Sequence, residues 1–211
     1  MKKSTGRILT THVGSLIRPD ALVEFMRPKQ SGAPFDHDAY AACLRESVAG
    51  IVRQQADVGI DVVSDGEFGK SISWNQYVLD RLTGFEQRPM VKSAKPGNPG
   101  ADRTRFKEFY AELDARDPPA NPMQPVCVGK ITYRGQAELQ RDIDNFKAAL
   151  KGTDVAEAFM PVVAPASVVP ERRNEYYKSE DAFVADLADA MRIEYKMIVE
   201  AGFILQIDDA R

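Results

Sequence analysis

The sequence predicts an α/β protein on a parallel sheet, of the (β/α)8 TIM-barrel type but incomplete, with about five of the eight β/α units in its 211 residues. Three observations predict it. Short apolar runs bounded by Gly, Pro or acidic residues alternate with segments of helical period. The runs end in polar and acidic side chains, where parallel α/β sheets present ligand-binding groups. The turn after the first run, His12-Val13-Gly14-Ser15-Leu16-Ile17-Arg18-Pro19, lacks a Gly-x-Gly-x-x-Gly pattern, and the chain has no P-loop, which argues against an open nucleotide-binding sheet.

The first strand-like run spans Ile8 to Gly14, and the second is Ile60-Asp61-Val62-Val63, closing in Ser64-Asp65-Gly66-Glu67. The third is Val126 to Tyr133, the fourth Ala158 to Val163, and the fifth Phe203 to Ile207, which delivers Asp208. Between them, Leu44, Val48, Ile51, Gln55 and Val58 share one helical face, with Asp36 as N-cap. Leu139, Ile143, Phe146 and Leu150 form a second face; Phe183, Leu187, Met191, Tyr195 and Ile198 form a third, capped by Ser179 with Glu180 and Asp181 in the first turn. Gly59 and Gly202 stand where helices end just before strands. The plan breaks at about residues 84–125, where two Pro/Gly-rich stretches flank a helical segment around Phe106, Phe109, Tyr110 and Leu113. This irregular insert reads equally as a lid over the site or as a loop without a role.

Hydrophobic residues at 44 %, charged residues at 28 % and a net charge of −3 describe an ordinary globular chain, with no basic footprint for nucleic acid and no polybasic membrane patch. No apolar run approaches the ~20 residues that cross a bilayer. The basic start, Met1 to Arg7, meets an apolar run too short for a signal peptide. Cys43 and Cys127 have neither metal-type nor disulfide-framework spacing and read as small buried hydrophobes in a reducing cytoplasm.

The candidate site residues lie at the ends of the runs. Glu67 would point into the barrel mouth, where a carboxylate binds an ammonium group or acts as a base; the competing reading is a helix cap or an ion pair with Lys70. Of the two acids Asp65 and Glu67, one is expected to turn away from the lumen, and Glu67 is favoured as the one that faces it. Asp208 or Asp209 would face the same mouth, or both form a solvated strand end. Ser15 and the backbone at Gly14 would hold a carboxylate, with Arg18 assisting or serving as a surface ion pair. His12 reads more readily as a hydrogen-bonded wall residue than as a metal ligand or proton relay. Trp74, with Tyr77, would floor a pocket for a flat ring or simply pack. His37 reads as solvated, and Ser167, just past the end of the fourth run, could reach a ligand, although the signal is weak.

Three segments then carry a resemblance. Thr10-Thr11-His12-Val13-Gly14-Ser15-Leu16-Ile17-Arg18-Pro19, Gly59-Ile60-Asp61-Val62-Val63-Ser64-Asp65-Gly66-Glu67 and Leu205-Gln206-Ile207-Asp208 resemble the cobalamin-independent methionine synthase family, most closely its short single-barrel members similar to the C-terminal catalytic domain. The resemblance implies a barrel methyltransferase of methionine biosynthesis, 5-methyltetrahydropteroyltriglutamate–homocysteine S-methyltransferase-like. It would move a methyl group from methyltetrahydrofolate, or a related donor, to a thiol such as homocysteine, with zinc activating the thiol. It further implies that Gly14 and Ser15 hold the amino acid's carboxylate and that Glu67 and Asp208 hold its ammonium group. Ile17 stands where the family has Pro. The implied zinc ligands (a His, two Cys and a Glu) fall in the family beyond the Gln206-Ile207-Asp208 motif. Residues 1–211 therefore read as the N-terminal portion of one barrel domain, without a metal site and inactive in methyl transfer alone. The alternatives are a non-catalytic truncated barrel that binds a small molecule or dimerises through its open edge, and a related barrel enzyme acting on another alkyl-thiol substrate.

Overall fold

The helical periods of the sequence become an outer layer, and the strands they alternate with divide between two sheets. In a computed structural model of the protein, residues 1–71, 76–89, 100–116, 123–168 and 173–209 are described. In chain order the elements are α1 (Asp20–Ser31), α2 (His37–Asp57), β1 (Val62–Val63), α3 (Gln76–Arg81), β2 (Phe85–Pro89), α4 (Gly100–Arg105), α5 (Lys107–Arg116), β3 (Met123–Cys127), α6 (Gln136–Ala149), β4 (Glu157–Val163), α7 (Pro165–Val168), β5 (Arg173–Asn174), α8 (Glu180–Glu200) and β6 (Ile204–Asp208). Asp36 caps α2 by accepting the amides of Asp38 and Ala39, and Ser179 caps α8 by accepting that of Ala182. No described helix is long and apolar enough to cross a membrane.

The first sheet has the order β1-β4-β6 and is parallel throughout. Val62 pairs with Glu157, and Phe159 through Val163 pair with Ile204 through Asp208. The predicted first strand, Ile8 to Gly14, runs beside β1 as an irregular segment: the Thr10 carbonyl accepts the Asp61 and Val62 amides at 3.1 and 3.0 Å. Arg7 pins it further by gripping the Asp61 carboxylate. Among the described residues, Thr10 alone of this stretch makes such backbone bonds, the next being that of Leu16 to Gly66 beyond it, and Ile8 is 82 % exposed, so no regular ladder forms.

The second sheet has the order β2-β3-β5, with β2 antiparallel to β3 and β3 parallel to β5. This revises the expected third run. The strand is Met123–Cys127, and the chain leaves it where the Gly84 carbonyl accepts the amides of Val128 and Gly129. It also pairs with a strand from within the predicted irregular insert, so the parallel β1-β4-β6 sheet has three strands rather than five. Of that insert, residues 90–99 and 117–122 lie outside the described residues.

Alternation assigns the faces of the first sheet. Val63, Met160 and Val162 pack with Leu44, Val48 and Val52 of α2, Leu139, Ile143 and Phe146 of α6, and Ile198 of α8. Phe146 stacks on Phe203 with centroids 4.7 Å apart. Phe159 points the other way, against His12. A second apolar cluster joins α8, through Phe183, Leu187 and Met191, to Tyr77, Leu82 and Cys127 beside the second sheet. The helical faces predicted on α6 and α8 are thus the ones buried. On α2 the face holds through Gln55, while Val58 lies beyond the helix and is exposed.

A buried charge cluster fastens the helices together. Arg81 donates to Asp142 of α6 at 2.7 Å and to Glu194 of α8 at 2.8 Å, and all three are buried. Arg141 approaches the same Asp142 at 2.8 Å. Two glycines make room: a Cβ at Gly69 would lie 2.2 Å from Asp142 Oδ1, and one at Gly135 would lie 2.5 Å from Arg81 Cγ. Replacing Arg81 leaves two buried carboxylates without their shared partner, a change that costs about 3–5 kcal/mol. R81M is therefore expected to lower the unfolding free energy by about that amount in urea denaturation, and G69A to destabilise through overpacking by about 1–3 kcal/mol.

Candidate functional site

The site is built on the tight turn that follows β1. Gln55 of α2 reaches under the turn: its amide oxygen accepts the Ser64 N–H at 3.0 Å and its amide nitrogen donates to the Ser64 carbonyl at 2.8 Å, so a side chain replaces a strand neighbour. Ser64 Oγ accepts the Gly66 amide, and Asp65 Oδ1 accepts the Glu67 amide at 2.9 Å. These local bonds drive Gly66 to φ 71° and Glu67 to φ 62°. Glycine adopts that left-handed backbone freely; a glutamate there costs about 1–2 kcal/mol, which the surroundings must offset. They do so by holding the Glu67 carbonyl with Arg18 Nη2 at 2.8 Å and the Lys70 amide at 3.2 Å, and by docking the Leu16 amide on the Gly66 carbonyl.

The turn delivers the Glu67 carboxylate to a fixed place. Ser15 Oγ donates to Oε1 at 3.1 Å, and Lys70 Nζ approaches Oε2 at 3.0 Å. Lys70 also donates to the Pro161 carbonyl of β4 and lies 4.6 Å above the Tyr77 ring. Of the two acids weighed at this strand end, Glu67 is the one aimed at Ser15, while Asp65 is buried beneath the turn. Burial pushes the Asp65 carboxyl up to about 6, opposed by the Lys70 charge and reinforced by Asp142.

The other predicted residues divide. Gly14, exposed at φ 87°, adjoins Ser15 at the rim. His12 is a wall residue: Nε2 is 3.3 Å from Ser64 Oγ, the ring lies 5.9 Å from Phe159, and burial holds its pKa below the ordinary value against the pull of Glu67. Asp208 ends β6 opposite Val163, its Oδ1 accepting the Gln206 amide at 2.9 Å. By register it shares the sheet face of Phe159, the face on which His12 lies. Asp208 is two strands across from β1. Because Val63 pairs with Ala158 while Asp208 pairs with Val163, it is also five residues further along the strand direction, on the side toward which the chain continues from β1 into the Glu67 turn. Asp209 is engaged by Ser167 at 2.8 Å, which ties α7 to β6. Trp74 lies outside the described residues. Tyr77 is scaffold rather than floor: its hydroxyl accepts the Val163 amide at 2.9 Å, and Tyr195 donates to the Val163 carbonyl at 2.7 Å. His37 lies exposed beside Phe35. Cys43 is half-buried, and Cys127 is buried, its thiol pushed up by burial.

Sequence reasoning missed the Gln55 clamp and the bond from Arg18 to the Glu67 backbone; a polar residue repeating on an apolar helical face was the available signal for Gln55. Behind Lys70 is a cavity of about 420 Å³, lined among others by Met26, Tyr40, Ser71, Gln87 and Met123, so the middle of β2 and the start of β3 face it. Among the described residues, no three His, Cys, Asp or Glu side chains are placed to share a metal ion.

The Asp65 carboxyl has a folded pKa near 6 against an unfolded value of 3.8, so its contribution to stability is complete below pH 4 and is lost as pH rises through 6. D65N retains an acceptor for the Glu67 amide without the buried charge. It is expected to match the unaltered chain at pH 4 and to exceed it by about 2 kcal/mol at pH 7, as read from chemical denaturation across that range.

No family model matches the chain. It is 27 % identical over 201 residues to the methionine synthase of Saccharolobus solfataricus, covering 95 % of this chain and 52 % of that protein. It is likewise 27 % identical to that of Sulfolobus acidocaldarius, covering 95 % of this chain and 51 % of that one. The chain thus spans about half the length of the curated relatives it matches. Among solved structures, the B12-independent methionine synthase of Shewanella sp. W3-18-1, in complex with selenomethionine, superposes with a TM-score of 0.64 at 20 % identity, covering 94 % of this chain and 50 % of that one. The putative vitamin-B12-independent methionine synthase of Listeria monocytogenes superposes with a TM-score of 0.63 at 21 % identity, covering 97 % and 53 %. In sequence the chain is similar to methionine synthases and in fold to their B12-independent forms, and the resemblance to the cobalamin-independent methionine synthase family carried by its three motifs is borne out.

Proposed function

We propose that this chain forms the amino-acid end of a methyl-transfer site of the methionine synthase kind, built on part of a (β/α)8 barrel. The observation that carries the reading is the Ser15–Glu67 clamp on a left-handed turn at the end of a parallel strand, in a chain similar to methionine synthases along 95 % of its length. The segment 8–14, β1, β4 and β6 follow one another as neighbours in chain order, the arrangement of consecutive staves, and this supports residues 1–211 as a portion of one barrel domain.

In this reading Glu67 and Asp208 hold the ammonium group of a homocysteine-like thiol from two strands of one sheet face. The hydroxyl proton of Ser15 is committed to Glu67, so the carboxylate is met by the backbone around Gly14 and Ser15. The methyl group comes from methyltetrahydrofolate or a related donor. In the family reading, zinc supplies a thiolate nucleophile. The described residues of this chain do not fit that metal, and their part is to bind and orient the amino acid. The reading assigns these 211 residues no methyl transfer by themselves and a cytoplasmic setting. The β6 edge, with Ile207 51 % exposed, supports a second reading in which copies of the chain associate there.

Calorimetric titration of the 211-residue chain with L-homocysteine, under reducing conditions, is expected to show saturable binding that E67Q and D208N each weaken about tenfold or more. Methyl transfer from methyltetrahydrofolate with added zinc is expected to be undetectable. Binding that neither substitution alters, or no binding at all, would overturn the reading.

A further inference from the structure

Lys70 is 6 % exposed, and each of its three ammonium hydrogens has a destination: Glu67 Oε2 at 3.0 Å, the Pro161 carbonyl, and the face of the Tyr77 ring at 4.6 Å. The three partners come from three different parts of the chain, the turn after β1, strand β4 and helix α3. A buried ammonium so surrounded has no donor left for a ligand. Its effect falls on Glu67 instead. Ser15 fixes one carboxylate oxygen and Lys70 the other, which sets the plane of the group while leaving an outward lone pair on each oxygen.

We propose that Lys70 is a positioning residue of this site, holding Glu67 so that it selects an amine-bearing thiol over the same thiol without its amino group. The inference rests on the reading of Glu67 as an ammonium ligand given under Proposed function.

Two effects of Lys70 oppose each other. Its positive charge reduces the attraction of Glu67 for a second ammonium. Its removal, however, leaves Glu67, only 7 % exposed, as a buried carboxylate without its counter-charge, near the equally buried Asp65. A buried carboxylate without its counter-charge is driven to swing toward water and lose the orientation Ser15 and Lys70 gave it. The second effect is the larger, because breaking a buried pair costs several times what a partly solvated attraction supplies. Loss of Lys70 therefore weakens amine recognition.

The test compares dissociation constants for L-homocysteine and 4-mercaptobutanoic acid, which share a skeleton and differ by the α-amino group. The unaltered 211-residue chain is expected to prefer homocysteine by about tenfold or more. K70M is expected to reduce that ratio to the value of E67Q while shifting the affinity for the amine-free thiol by less than about threefold, and K70R to restore part of it. A general loosening of the fold would weaken both ligands together and leave the ratio unchanged. If K70M does not fold, K70Q is read on the same ratio. A ratio preserved in K70M and lost in E67Q overturns the inference while leaving the Proposed function intact, and so does a K70M chain that binds homocysteine more tightly. Absence of any amine preference in the unaltered chain removes the Proposed function and this inference with it.

Discussion

A carboxylate on a left-handed turn stays in place only if the backbone around it is held more tightly than its own preference resists. In this chain the holding comes from Gln55, which closes both hydrogen-bonding groups of Ser64, and from Asp65, which takes the Glu67 amide. With the turn fixed, Gly66 offers a carbonyl to Leu16, and the segment carrying Gly14 and Ser15 is drawn against it. The contact between Ser15 and Glu67 is a consequence of that docking. Remove the turn, and the N-terminal segment is held to the sheet by Thr10, by Thr11 on the Val62 carbonyl, by the Arg7–Asp61 pair and by Met1 and Lys2 on Glu157.

Behind the turn, the apolar helix layer and the buried charges divide the labour. Burial of Leu44, Val48, Leu139, Ile143 and Phe146 supplies the non-directional driving force that brings α2 and α6 onto the sheet. The bonds of Arg81 to Asp142 and Glu194 are directional and set how α6 and α8 stand relative to α3. Gly69, within the segment that carries Lys70, is pressed on Asp142. The site turn and the charge cluster are thereby in mechanical contact.

Much of this was legible in the sequence. The faces of α6 and α8 and the strands β4 and β6 follow from burial patterns confined to a few adjacent residues. Glu67 was the acid preferred at this strand end, but residues two apart share a strand face, and it is the left-handed turn at Gly66 and Glu67 that separates it from Asp65. The i,i+3 spacing of Glu67 and Lys70 allowed the ion pair. What escaped depends on partners far along the chain. The strand at Met123–Cys127 looks the same whether it joins β1 or β2, and only the pairing of Phe85 with Cys127 decides. Arg81 closes a helical segment as any solvated arginine would, since nothing local announces two carboxylates 61 and 113 residues away. The segment 8–14 has strand composition yet lacks the regular pairing that would make it one.

Pro161 lies in the interior of β4, where a residue without an N–H is ordinarily excluded. The register with β6 turns the backbone groups of Pro161 and Val163 toward the side of β1, and β1 pairs with β4 only as far as Ala158. On that side Lys70 takes the Pro161 carbonyl, Tyr77 the Val163 amide and Tyr195 the Val163 carbonyl. Side chains thus complete the hydrogen bonding of β4 where its neighbour has stopped, and the proline presents no amide to be left over. An early-ending strand is thereby tolerated, and its chain is free to bend away into the turn that carries Glu67.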